Sequence, residues 1–482
     1  MYRLKSFLMA LPLVFLLTGC PDDGDHGGGG GAEGSSGTIV YLADQNTIGV
    51  FELYLASSGA KLNPSLPAGR SVTSFALTPD KTAVVYMADQ TTDDIFELYR
   101  VNIATPGVSV KLNGTVIPVG GDVSSFAITP DGTSVVYLAD QSIDQVFELF
   151  QVLFSTPQAS VRLNPIFPPS RTVTQFAVTA DNARVVYIAD QDTDNVNELY
   201  QVALFNPPSN NTKLNSPLLP EGNVIDFAIA PNSSSVVYLA DQTIDQVFEI
   251  YRAGITTPGT GTSLNPPLIV GQNVRTFAVT PDSAAVIYRA DQTTTGVTEL
   301  YRVLFANPQT SATKLNGALT AGGNVLRFAI APDGSAVVYS GDQDILGVVE
   351  LYRVPLIPVA ANQKINPNFM AVQNVTRFAI TPDSRAVVYM ANQTVGNAAV
   401  QLYHVPFSTL QQSSPPLNGA LVAGGNVTDF TVAPGSANVF YLADQTTFGM
   451  TELYVSNVGS PGQSTKLNGA LITGGNVAAF TF

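Results

Sequence analysis

The chain ends in NVAAFTF, residues Asn476 to Phe482. The same phrase opens segments earlier in the sequence: NVLRFAI (Asn324 to Ile330), NVTRFAI (Asn374 to Ile380) and NVTDFTV (Asn426 to Val432). Elsewhere it is followed by a turn and then by a segment such as VVYLA. The repeating part of the chain, however, begins at TIVYLA, Thr38 to Ala43, with no such phrase before it. The last residues therefore supply the strand that the first unit lacks. An open stack of repeats gains nothing from this phase and needs capping units instead. A ring gains closure, because the terminal strand covers an edge of the first unit.

Working inward, Ala-Asp-Gln or a close variant marks each unit, with its Asp at Asp44, Asp89, Asp140, Asp190, Asp241, Asp291, Asp342 and Asp444, and Asn392 in the eighth unit. The spacing is 45 residues once and 50 to 52 thereafter. Periods of this size mark propellers, solenoids or arrays. Within the second unit, Val72 to Thr78, Ala83 to Met87, Phe96 to Val101 and Val108 to Leu112 have strand character, rich in Val, Phe and Tyr and separated by turn residues. No segment has a sustained helical period. Four short strands per unit predict an all-β fold: a single closed β-propeller of about nine four-stranded blades over residues 38–482, closed by the C-terminal strand.

Charged residues make up 12% of the chain, about half the usual share, while hydrophobic residues make up 45%. The net charge is −15, and residues 1–19 contribute only the bases Arg3 and Lys5, so the remainder is more acidic still. Such a surface excludes nucleic acid, whose phosphates need a basic face.

The N-terminus reads as an address. Arg3 and Lys5 precede an apolar stretch from Phe7 to Leu17, the layout of a secretory signal too short for a permanent span. Leu17-Thr18-Gly19-Cys20 resembles a bacterial lipobox, and Cys20 is the only cysteine. The resemblance implies cleavage after residue 19, acylation of Cys20 and attachment to a membrane of the cell envelope, on the outer membrane's periplasmic face or at the cell surface. Residues 20–37, with five consecutive glycines and Asp22, Asp23 and Asp25, form a flexible tether.

FAITPDGTSVVYLAD (Phe126 to Asp140) and FAIAPDGSAVVYSGD (Phe328 to Asp342) resemble the PD40, or WD40-like, repeat of TolB-type propellers and of the propellers in prolyl oligopeptidase-like peptidases. The Pro-Asp turn departs at Ala180-Asp181, Pro231-Asn232 and Pro434-Gly435. The resemblance implies a propeller. The α/β domains of TolB and of the peptidases are absent from the sequence, so neither function transfers.

Candidate chemistry is sparse. His404 is the one histidine in the repeats and takes the place of Arg100, Arg252, Arg302 and Arg353 in other units, so it reads as a strand residue, and no enzymatic activity is expected. Each landmark Asp is followed eight residues later by Glu, from Glu52 and Glu97 to Glu452, and many units carry a base before Leu-Asn, such as Lys61, Lys364 and Lys466. In the eighth unit all three charges vanish together, leaving Asn392, Gln401 and Pro416; the fifth has Ser263 in place of the base. One reading is a turn-capping Asp with an exposed cross-strand Glu–Lys pair contributing under about 1 kcal/mol. The other is a Ca²⁺ held by oxygen ligands, with Asp190, Asp192, Asp194 and Glu198 the richest set. No other cofactor is implied.

A Phe recurs in the opening strand (Phe75, Phe126, Phe227, Phe430 and equivalents), and is expected to pack between blades. The residue before it breaks the repetition: Asp226, Arg327, Arg377 and Asp429 are charged there. On an innermost strand they would line the channel, either holding a charged ligand or pairing with one another. The functional expectation is a membrane-tethered scaffold that binds an envelope protein or other partner through one rim. The alternative is a small ligand or cation in the channel or the Asp-rich loops.

Overall fold

Runs such as Val135-Val136-Tyr137-Leu138-Ala139 are apolar at every position, which suits a strand covered on both faces rather than on one. In the computed structural model, which describes residues 37–115, 120–205, 211–394, 396 and 398–482, every residue from Ser134 to Ala139 is buried. The signal segment, Cys20 and all but the last residue of the tether lie outside the described residues.

Nine antiparallel sheets follow one another along the chain. Blade 2 consists of Val72–Leu77, Ala83–Thr92, Ile95–Asn102 and Ser109–Lys111, paired in chain order. Blades 3 to 9 open at Val123, Val173, Val224, Val274, Val325, Val375 and Val427. Blade 1 combines Val40–Ala43 and Glu52–Leu55 with the last strand of the chain, Val477–Thr481. The closing register pairs Val40 with Thr481, Tyr41 with Phe480 and Leu42 with Ala479. The nine-bladed ring and its closure are thus as the repeat phase predicts.

Register places one aromatic row across each blade: Phe75 beside Tyr86, Tyr86 beside Tyr99, and Tyr99 beside Lys111 in blade 2. The two tyrosine rings stack, with centroids 5.5 Å apart in blade 2 and 5.2 Å apart in blade 7. Successive blades share apolar clusters. Phe227, Tyr238 and Tyr251 of blade 5 pack with Val186, Ile188 and Leu199 of blade 4. The closing cluster joins Tyr41, Tyr54 and Val477 of blade 1 to Phe440, Leu442 and Leu453 of blade 9. The recurrent Phe therefore does pack between blades, and the core is a ring of inter-blade clusters.

Two blades differ locally. Blade 2 extends its central hairpin to Thr92 and resumes at Ile95, whereas the second strands of the other blades end just before the landmark residue. Blade 8 has three strands among the described residues, because Ser413-Ser414-Pro415-Pro416 stands where a fourth would pair, and proline has no amide hydrogen to donate.

Candidate functional site

The repeated charges are built into the blades. Asp44 Oδ2 accepts from the Gly49 amide at 3.0 Å, and Oδ1 from the Asn476 amide at 2.5 Å, so this Asp caps its own loop and ties it to the preceding connection. The Glu is not an exposed partner. Glu350 is fully buried and accepts from Lys364 Nζ at 2.6 Å, the Phe369 amide at 3.0 Å and the Tyr352 hydroxyl at 3.2 Å. It thus ties the third strand to the fourth and to the connection beyond. The expectation of a solvent-screened pair fails because neighbouring chain segments cover the carboxylate. Burial pushes the Tyr352 hydroxyl far above its usual range, and the Glu350 and Asp344 charges push it further.

Two recurrent amides went unassigned in the sequence reading. In the first eight units the Gln after the landmark residue bonds the tyrosine four residues earlier, as in Tyr41 Oη to Gln45 at 2.8 Å and Tyr339 Oη to Gln343 at 2.5 Å, whereas Gln445 of the ninth accepts from Ser464 at 3.3 Å. The Asn of Leu-Asn is buried, and its Oδ1 accepts a third-strand amide, as Asn63 does from Leu53 at 2.7 Å. The fixed Tyr-to-Gln spacing was the available signal.

The acidic loop of blade 4 is organised around a base. Lys213 Nζ lies 2.8 Å from Asp192 and 2.6 Å from Glu198. Asp190 accepts from the amides of Thr172 at 2.6 Å and Asn195 at 3.3 Å. Among the described residues, no group of three or more His, Cys, Asp or Glu side chains is placed to hold a metal ion. His404 pairs with Val388 in the blade 8 register, as Arg353 pairs with Val338 in blade 7. Burial lowers the pKa of His404 below that of a free imidazole. The equivalent Arg100, Arg252 and Arg353 lie over Phe154, Phe305 and Phe407 of the next blade.

The opening strands of blades 5 and 6, and of blades 7 and 8, lie against one another, which places them innermost in the ring. The charged side chains before the Phe reach across these gaps. Arg377 of blade 8 forms an ion pair with Asp429 of blade 9 and lies over the Phe430 ring, 5.2 Å from its centroid. Arg327 of blade 7 donates to the Thr376 carbonyl of blade 8 at 3.1 Å. Asp226 of blade 5 accepts from Gln175 of blade 4 at 3.3 Å, and burial raises its pKa. The structure brings Arg377 and Asp429 together and leaves Asp226 apart from them.

The loops after the second strand and the connections between blades share one rim. Thr320 N donates to the Gln343 carbonyl at 2.8 Å, and a Cβ at Gly424 (φ +79°) would meet the Phe448 ring at 3.0 Å. More than half of the exposed large apolar side chains among the described residues lie on this rim. They include Val372, Val270 and Ile166, which are 82%, 78% and 75% exposed, and Phe448, Met370 and Ile48. The opposite rim carries Phe205, Ile357 and Val359.

No protein-family model matches the chain, and no curated protein matches its sequence. Solved structures do match its shape. A eukaryotic initiation factor superposes with a TM-score of 0.58 at 12% identity, covering 92% of this chain and 98% of that one. The likeness is one of fold. Prolyl oligopeptidase B from Galerina marginata matches with a TM-score of 0.44 at 10% identity, over 72% of this chain and 51% of its own. A putative TolB from Agrobacterium tumefaciens matches with a TM-score of 0.33 at 14% identity, over 53% of this chain and 83% of its own.

Proposed function

We propose that this chain is a bacterial-type lipoprotein, tethered to a cell-envelope membrane through acylated Cys20, whose PD40-like propeller acts as a scaffold and not as an enzyme. It binds a protein partner of the envelope through the rim formed by the Asp-Gln loops and the inter-blade connections. The observation that carries this reading is the concentration of exposed Val, Ile, Met and Phe on that rim. Exposed apolar side chains clustered in this way mark interaction surfaces. The tether is supported by Leu17-Thr18-Gly19-Cys20 and the glycine-rich segment behind it.

The test is photo-crosslinking in living cells from single positions. A crosslinker at Val270 or Val372 captures one specific partner, whereas the same group at Phe205 or Ile357 does not. An abundant, membrane-bound protein that yields no rim adduct overturns the scaffold reading. Separately, Cys20→Ser abolishes acyl labelling and releases the protein from the membrane; labelling that persists overturns the lipid anchor.

A further inference from the structure

The second strand of each blade has one position, two residues before the landmark Asp, that is apolar nearly throughout: Leu42, Met87, Leu138, Ile188, Leu239, Met390 and Leu442. Only blades 6 and 7 depart, with Arg289 and Ser340. Arg289 is half-buried and donates through Nη1 to the carbonyl of Val325, at 3.0 Å, and to that of Leu326. These carbonyls immediately precede Arg327 on blade 7. Ser340 is the register partner of Arg327, as Met390 is of Arg377.

The pattern then repeats one blade on. Arg327 donates to the carbonyl of Thr376, which immediately precedes Arg377 on blade 8. The three guanidiniums thus form a staircase along one arc of the channel, at the end where the connections enter the opening strands. Among the described residues a single carboxylate, Asp429, pairs with them, and it pairs with Arg377. Arg275, also on blade 6, is neutralised by Asp291 at 3.2 Å. Asp226 of blade 5 is engaged with Gln175 on its far side. Arg289 and Arg327 therefore hold positive charge without an acid, in a protein with 37 acids and 22 bases. Burial and the neighbouring Arg327 charge both push Arg289 and Arg377 below their ordinary pKa. Arg289 Nε is buried without a partner, as it is in Arg100, Arg302 and Arg353, and the two Nη1 bonds to carbonyls offset only part of the cost of placing this charge there.

We propose that the Arg289–Arg327–Arg377 staircase binds an oxyanion, the phosphate or carboxylate group of a small ligand, at the mouth of the channel. Planar guanidiniums present paired donors that match both groups. The exposed Arg327 makes the first contact, Arg377 flanks it, and Arg289 supplies positive charge from behind.

The experiment is isothermal titration calorimetry of the full-length protein in detergent at low ionic strength, with inorganic phosphate in one arm and succinate in the other. Saturable binding of at least one anion is expected, in the millimolar range or tighter. Arg327→Gln and Arg289→Leu each weaken it about tenfold or more, as expected for loss of a charge-assisted contact. Arg385→Gln, an exposed arginine at a Pro-Asp turn, leaves it unchanged. Arg289→Leu restores the residue that other blades carry, so melting close to wild type separates lost binding from lost folding. The tighter arm identifies the group as phosphate or carboxylate. No saturable heat in either arm, or binding that survives both substitutions, overturns the inference. Rim crosslinking is an independent readout, so failure here leaves the scaffold reading standing, and failure there leaves this one.

Discussion

Lys364→Met gives the sharpest test of how the blades are held together. Its partner, Glu350, is fully buried, and Lys364 lies 2.6 Å from it. Removing the base leaves a buried carboxylate with the Phe369 amide, the Tyr352 hydroxyl and, at 3.5 Å, the Asn366 side-chain amide as remaining donors. Breaking a buried pair from one side costs about 3–5 kcal/mol. The surviving donors place this case near about 3 kcal/mol, and loss of the half-exposed Asp344 contact adds no more than about 1 kcal/mol. The double variant Glu350→Gln/Lys364→Met behaves differently. Its neutral amide still accepts from Phe369, and blade 8 already lives with Gln401 and no base. Its net cost is within about 1 kcal/mol, since a buried ion pair can be replaced by neutral groups with little loss. The second substitution therefore recovers about 2 kcal/mol of what Lys364→Met alone loses. Urea denaturation followed by tyrosine fluorescence is the assay, because the chain has 18 tyrosines and no tryptophan. A double variant as unstable as Lys364→Met alone would refute the reasoning, because the stranded charge would then not be the cause.

Other outcomes follow from the same structure. Phe430, fully buried at the blade 8–9 interface, should cost about 3–5 kcal/mol as Phe430→Ala, read as a lower urea midpoint; an unchanged midpoint contradicts the inter-blade packing. Acid should destabilise the ring. The Thr78 and Thr280 hydroxyls hold Asp80 and Asp282 below the ordinary 3.8, and although burial pushes Glu299 up, bonds from Lys314 and Tyr301 bring it below 4.5. These carboxylates stabilise the fold fully above their ordinary values and lose that contribution as pH falls through the lower folded ones. Asp226 works in the opposite sense: burial raises its pKa, so Asp226→Asn should raise the midpoint at neutral pH, and the gain should vanish below pH 3.8. A gain that persists in acid contradicts this.

Much of the architecture was legible because the repeats are local. A strand's alternation, a Thr-Pro-Asp turn and the spacing of Ala-Asp-Gln depend on residues near one another in the chain. The sequence therefore announced nine units, their four-strand content and the ring closed through Asn476 to Phe482. It also showed which positions break the repetition, since Asp226, Arg327, Arg377 and Asp429 stand out against uncharged residues. Those breaks carry the candidate site, because a feature confined to a few blades is not needed to build a blade.

Tertiary structure decided what those positions touch. Sequence could not show that Glu350 is buried, because the segment covering it lies near Phe369 and arrives only when the connection folds back. Nor could it show that Arg377 faces Asp429 while Asp226 faces Gln175, because these meet across inter-blade gaps whose bulged opening strands do not follow a simple alternation. Arg289 is the clearest case. In sequence it is one polar residue in an apolar strand, with no partner in its own unit. Its partners are the backbone carbonyls of Val325 and Leu326, and backbone atoms leave no trace in residue identity. Local periodicity set the number and shape of the blades; the docking of one blade on the next decided which charges meet and which are left to face the channel.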